Sequence, residues 1–301
     1  MAQPALEPTR EPAPEPLGWA ILRTRAYFSL FGYTPTLFEL HRYLHGEPAT
    51  VEQVRAASRR LGSQKSALVP YPRPRSPRSF QGTTVPGPTS RPAARRLRFY
   101  IALLKHLPFV RMIGLTGSRA IQPGDGGDTD LMIVTSPGRV WLCRLAVVAL
   151  TRLAGCFGDR LCPNYVASED CLALADVTIY DAHELAQLVP LYGGAAYHQL
   201  WDLNPRVREL LPNAHPFPCP NDRLLPGAGL LKRAAEWALS GRLGHTLERW
   251  ERERKIARLQ ARGAVSPEIS LTAEQCKGHF DGHKSRILFA YRRIVTQLEE
   301  A

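Results

Sequence analysis

The chain has 301 residues, 44% of them hydrophobic, and carries 39 Lys and Arg against 27 Asp and Glu, a net charge of +12. That length accommodates about two domains, and that apolar share excludes wholesale disorder. The positive excess is nearly all Arg and has two readings: affinity for anionic partners such as nucleotides, nucleic acid or acidic lipid, or a codon-driven bias toward Arg, Ala, Pro and Gly.

Six cysteines, at 143, 156, 162, 171, 219 and 276, form no CxxC pair, so no zinc site is indicated and buried thiols are expected. Residues 1–16 are rich in Pro and Glu, unlike a secretory leader. No run of about 20 uncharged apolar residues occurs; the most apolar stretch, Val140 to Cys156, is interrupted by Arg144 and Arg152. A reducing, cytoplasmic setting with no membrane partner is the expectation.

In chain order, residues 1–18 read as a disordered tail. Residues 19–70 read as three short helices. The first spans Trp19 to Phe31, and two capping boxes, Thr36 with Glu39 and Thr50 with Gln53, open the others. With the apolar pair Leu68–Val69 as a wing, they suggest a winged helix-turn-helix; the alternative is a plain three-helix packing module. Residues 71–95, rich in Pro, Ser and Arg, read as a basic linker that tethers the next domain or touches phosphates.

A core follows at 96–200: a helix from Arg96 to Leu107, a strand from Phe109 to Thr116, a Gly-rich turn and a strand from Leu131 to Thr135. A helix from Val140 to Cys156 and a strand from Leu161 to Ala167 come next. Val177 to Tyr180 then reads as extended, and Asp181 opens a helix running toward Tyr197. Residues 201–301 read as helical, with long helices at Leu230 to Arg262 and Ala273 to Glu299.

The chemistry concentrates in Leu115-Thr116-Gly117-Ser118, nine further residues, then Asp128-Thr129-Asp130-Leu131. A Gly-Ser at a strand end presents N–H groups and a hydroxyl suited to terminal phosphates of a nucleotide. Alternate strand residues share a face, so Asp128 and Asp130 point the same way and Thr129 points opposite. Two carboxylates that close repel unless a cation lies between them. Mg²⁺, a hard ion commonly shared with substrate phosphates, suits them; Mn²⁺ is the alternative.

This strand, Gly-Ser, spacer, Asp-x-Asp, strand pattern resembles the signature of the polymerase-β-like nucleotidyltransferase superfamily. The longer run TGSRAIQPGDGGDTDLMIVTSPGRVWLCR, with LCPNY and AHELAQLVPLYG downstream, resembles a branch with a winged-helix-like domain before the transferase core. The resemblance implies an α+β fold with a small mixed sheet, an N-terminal helical module and a helical C-terminal region. It implies transfer of a nucleoside monophosphate from an NTP to an acceptor, with Gly117 and Ser118 on the phosphates and Asp128 and Asp130 as catalytic metal ligands.

The chain departs from that pattern in two places. Active members carry a third carboxylate on a later strand. Here Asn164 stands where that acid is expected, with Asp176 and Asp159 as the other candidates. Arg119, after the Gly-Ser, replaces a small residue and is read as a phosphate contact or a solvent-facing side chain. The missing acid supports a second reading, an inactive transferase fold that binds nucleic acid through the N-terminal module or the basic linker.

The remaining polar residues have structural readings first. Asp125 is expected in a turn. Glu184 is expected to share a capping box with Asp181, with His183 beside it as a lesser general-base candidate. Arg144 either meets phosphate or an Asp, or snorkels. His279 and His283 read as surface residues, and the run Glu248 to Leu259 reads as a solvent-facing helix with weak ion pairs.

Overall fold

The computed structural model describes residues 15–61, 90–121, 128–220, 222–261, 270–277 and 283–300. The tail up to residue 14, residues 62–70 with the Leu68–Val69 pair, residues 71–89 of the linker, Asp125 and His279 lie outside them.

Both predicted N-terminal capping boxes form. Helix α1 (Pro16–Ser29) begins inside the expected tail, with Pro16 in its first turn where a missing N–H costs nothing. Helix α2 (Leu37–Arg42) is capped by Thr36 and Glu39, and α3 (Val51–Arg60) by Thr50 and Gln53. These helices share a small core of Ile21, Leu40, Leu44 and Val54. Phe28 and Tyr43, however, belong to the same buried cluster as Met112, Met132 and Val134 of the sheet that follows.

Helix α4 (Arg91–Leu104) starts within the expected linker, capped by the Ser90 side chain. Then come β1 (Val110–Thr116), a short turn α5 (Ser118–Ile121) and β2 (Thr129–Thr135). Helix α6 (Val140–Gly155) crosses to β3 (Leu161–Ser168). β1 and β2 are antiparallel, whereas β2 and β3 are parallel and need that crossover.

The expected helix from Asp181 to Tyr197 is three elements: α7 (Ile179–Gln187), β4 (Val189–Tyr192) and α8 (Gly194–Asp202). Pro190 does not suit a helix interior, and Gly193 takes a positive φ of 84° at the next turn. β4 finds its partner on the free edge of β1. Of Val177 to Tyr180, only the first two residues precede α7, because Thr178 is its N-cap.

Downstream of the five-residue α9 (Arg206–Leu210), the expected helix from Leu230 to Arg262 is broken at Gly241 into α10 (Ala228–Ser240) and α11 (Arg242–Gln260). The expected helix from Ala273 begins instead as a hairpin, β5 (Ser270–Leu271) and β6 (Gln275–Lys277), followed by α12 (His283–Glu300). β6 pairs with β3, which completes a mixed six-stranded sheet in the order β4-β1-β2-β3-β6-β5.

Strand alternation divides the core. Ile113, Leu115, Leu131, Ile133 and Val166 face α4 and α6 with Trp141 and Val147. Met112, Met132, Val134 and Ala167 face the layer of α1, α2, α7 and α8. Asp130 shares the parity of Met132 and Val134, so it belongs to this second face.

The run from Glu248 to Leu259 is not solvent-facing throughout. Glu248 is buried and its two carboxylate oxygens accept from the backbone N–H groups of Trp141 (2.9 Å) and Leu142 (2.6 Å). Arg139, the N-cap of α6, provides no side-chain cap, so α11 supplies the carboxylate that this helix start favours. Glu251, also buried, takes Arg144 (3.5 Å) and Arg254, which answers the open reading of Arg144.

All six cysteines are free thiols. Among the described residues, no helix is long and apolar enough to cross a membrane.

Candidate active site

Gly117 and Asp130 bring the two halves of the sequence motif together. Thr116 and Asp130 are cross-strand partners at the end of the β1–β2 ladder. Gly117, at φ 69°, turns the chain away from β1, and Ser118 begins α5. The left-handed conformation suits glycine and lets its backbone lie directly against the Asp130 carboxylate.

Asp130 is half-buried, and its carboxyl is pushed up by burial; the neighbouring Asp128 raises it further, while Asn164 and Arg119 oppose the shift. Asp128 precedes β2 at the rim, with 55% of its side chain exposed and Arg160 at 3.7 Å.

Asn164 reaches Asp130 because β3 carries an irregularity. Leu131 pairs with Pro163 and Met132 with Tyr165, which leaves Asn164 as the extra residue at a bulge. Its Nδ2 donates to Asp130 Oδ1 at 2.6 Å, and its Oδ1 accepts from Cys162 Sγ at 2.9 Å. Asn164 thus holds Asp130 through an N–H and turns its oxygen, the atom a metal would need, toward Cys162.

The other candidates lie elsewhere. Arg119 donates to Thr129 Oγ1 at 2.6 Å, and Thr129 is the buried residue on the sheet face opposite the Asp pair. Asp176 is exposed and lines a separate cavity of about 570 Å³ with Asn204, Pro205, Tyr291 and Arg292. Asp159 ties β3 to α4 by accepting from Arg96 Nε (2.9 Å) and Tyr100 Oη (2.8 Å).

Thr116, Gly117, Ser118, Asp130 and Asn164 form one wall of a cavity of about 670 Å³ between the sheet, α1, α7 and α12. Clefts of this size hold small molecules. Tyr27, Phe28, Phe31 and Tyr33 form the opposite aromatic wall, and His283 and Arg286 stand on α12. His283, expected at the surface, is half-buried with its ring 6.0 Å from that of Tyr180.

The cavity also holds the carboxylate of Glu184, which was expected in a capping box. The capping box of α7 is Thr178 with Asp181, not Asp181 with Glu184. Asp181 is further held by Lys284 at 2.6 Å; although burial raises its carboxyl, the bonds from Lys284 and Thr178 bring it below the usual range. Glu184, one turn on, lines the cavity with Lys277 from β6. Burial pushes its carboxyl up to about 7, against the pull of Lys277 and with reinforcement from Asp130 and Asp181. A signal was present: once Thr178 is taken as the N-cap, Glu184 has no capping task and stands as a carboxylate among apolar α7 positions.

His183 lies behind the cavity wall, where its Nε2 is 2.9 Å from His45 Nε2 and its ring stacks on Tyr27 at 3.9 Å. Gln187 Nε2 donates to His183 Nδ1 (3.2 Å), which fixes the order of the chain: His183 donates to His45, and His45 Nδ1 donates to Tyr291 Oη (2.8 Å). Burial drives both histidines to the neutral form, His45 to about 3. His183 is therefore part of the contact between α1, α7 and α12.

Among the described residues, no group of three or more His, Cys, Asp or Glu is placed to hold a metal alone. Two hard carboxylates at one end of β2, with Asp128 adding to the burial that raises Asp130, fit Mg²⁺ in the manner that takes its other ligands from substrate phosphates and water. No protein-family profile, curated protein or solved structure matches this chain.

Proposed function

We propose that this protein is a divalent-metal-dependent nucleotidyltransferase that moves a nucleoside monophosphate from an NTP to a hydroxyl-bearing acceptor and releases pyrophosphate. The observation that carries the reading is the Gly117 backbone set against the Asp130 carboxylate at the wall of a cavity of about 670 Å³. The backbone and hydroxyl at 117–118 would cradle the terminal phosphates, and Asp128 and Asp130 would hold Mg²⁺. When bound, the ion offsets charge on the triphosphate and on the departing pyrophosphate.

Asn164 fixes the Asp130 carboxylate through its amide N–H. Glu184 is the general base: its carboxylate takes the acceptor hydroxyl proton as oxygen bonds to the α-phosphorus and the bond to the β-phosphate oxygen breaks. Burial raises the Glu184 carboxyl to about 7, close to the neutral range in which a general base is most effective. The aromatic wall of Tyr27, Phe28 and Phe31 stacks the nucleobase or the acceptor. Glu184 supplies a carboxylate at the cavity where the later strand offers Asn164 in place of a third acid.

Asp128→Ala and Asp130→Ala, assayed for NTP-dependent pyrophosphate release, test the reading. Both are expected to lose release while melting as the parent does; release retained in both contradicts it.

A further inference from the structure

Helix α10 is built inside out. Its buried residue is Lys232, 7% exposed, whose Nζ donates to the carbonyls of Lys105 (3.0 Å) and Val110 (2.7 Å). One turn on, Glu236 accepts from Phe109 N–H (2.7 Å) and Arg111 Nη1 (2.9 Å). Leu239, at the same helical spacing, joins the core. The polar stripe thus faces the protein, and the apolar stripe faces outward: Leu230 at 70% exposure, Leu231 at 74% and Trp237 at 83%. A surface helix ordinarily has the reverse arrangement.

The flanks repeat the pattern. Leu225 precedes α10, and Leu243 and Trp250 follow at heptad spacing on α11, all exposed. Gly244 sits against the Leu239 carbonyl, so α10 and α11 meet at a close turn. Arg233, Arg242 and Arg249 are exposed among these side chains. The only acidic residues from 223 to 250 are Glu236 and Glu248. The first is held by Arg111 and the second caps α6, so from 223 to 250 the outer face presents apolar and cationic groups; Glu253, one turn beyond Trp250 on α11, is exposed.

We propose that the outer face of α10, continued by α11, docks on an anionic lipid bilayer, with Leu and Trp side chains among the upper acyl chains and the arginines on headgroup phosphates. A second copy of this chain is disfavoured because like charges would meet at +12 each. A nucleic acid would satisfy the arginines but leave the Leu and Trp side chains without an apolar partner. At 13 residues α10 is about 20 Å long and lies along the membrane without crossing it. The inward Lys232 and Glu236 contacts keep the helix seated while its apolar face inserts. This inference stands apart from the cavity and does not depend on nucleotide transfer.

Flotation of the full chain with vesicles of phosphatidylglycerol and phosphatidylcholine in equal parts, and with phosphatidylcholine alone, tests the proposal. The parent is expected to float with the anionic vesicles only. The Leu230→Ser/Trp237→Ser double variant, which alters exposed side chains and should melt as the parent does, is expected to bind at least about tenfold more weakly. Arg233→Gln/Arg242→Gln is expected to lose the preference for anionic lipid. Parent protein left unbound by anionic vesicles overturns the proposal, as does equal flotation of the Leu230→Ser/Trp237→Ser variant. A dimer in light scattering that this variant dissociates overturns it in favour of self-association.

Discussion

A β-carbon placed on Gly117 would stand 3.2 Å from Asp130 Cγ and 3.3 Å from Asp130 Cβ, and closer still to Oδ2. The glycine is required twice over, by its φ of 69° and by the carboxylate packed against it. Gly117→Ala is expected to lower stability by about 1–2 kcal/mol through the left-handed backbone alone. It also displaces Asp130 and so weakens nucleotide binding. Urea unfolding and NTP titration measure the two effects; a variant that binds NTP as tightly as the parent would show that this contact has no part in the site.

Glu184 makes a prediction in two directions. With its folded carboxyl near 7 and its unfolded value near 4.3, the folded protein holds the proton more tightly. Its contribution to stability is fully present below the unfolded value, is lost as pH rises through that window, and is gone above about 7. Glu184→Gln should therefore be more stable than the parent at pH 8, by about 3–4 kcal/mol, and no more stable at pH 4. Transfer by the parent should rise with pH toward a plateau above about 7. The variant should lose that limb, with turnover down by about 10²-fold or more. Unchanged turnover and pH profile in Glu184→Gln would remove the residue from the chemistry.

The buried histidine pair predicts acid lability with the opposite sign. Burial lowers His45 to about 3, so the unfolded chain binds its proton first, below about 6.5. Stability is then present above the unfolded value and is lost as pH falls. From pH 6.5 to 5 this residue alone should take away about 2 kcal/mol. His45→Gln should flatten the dependence by close to one proton while lowering stability at pH 7, because His183 and Tyr291 lose a partner. Urea titrations at several pH values read both; a parent protein equally stable at pH 5 and pH 7 would contradict the neutral pair.

The sheet's central strands, the crossover helix and the two N-terminal capping boxes were legible because each has a local cause: apolar strand runs, Gly117–Ser118 at a strand end, Thr with Glu or Gln three residues on. What was not legible depended on distant partners. β4 contains Pro190 and four residues, and it becomes a strand because β1 has an open edge. β6 likewise forms on β3, with nothing in Gln275-Cys276-Lys277 to announce it. Glu248 sits in a charge-rich run that reads as solvated until α6 is found to need a cap.

At the site, the Gly-Ser and Asp-x-Asp pairs were readable from strand periodicity, whereas the partner of Asp130 depended on a bulge after Pro163. Glu184 was hidden by a capping box placed one turn too late. The aromatic wall comes from α1 and the turn that follows it, more than 80 residues before the motif, and no local pattern links the two.

The central claim is a metal–nucleotide site at Asp128 and Asp130, and thermal melting with each NTP, with and without Mg²⁺, tests it most directly. A ligand at about 100 times its dissociation constant stabilises by roughly 2.7 kcal/mol. The parent is expected to rise by several degrees with its preferred NTP in the presence of Mg²⁺, and Asp130→Ala is expected not to shift. A parent that does not shift with any NTP, or an Asp130→Ala variant that shifts equally, would contradict the account.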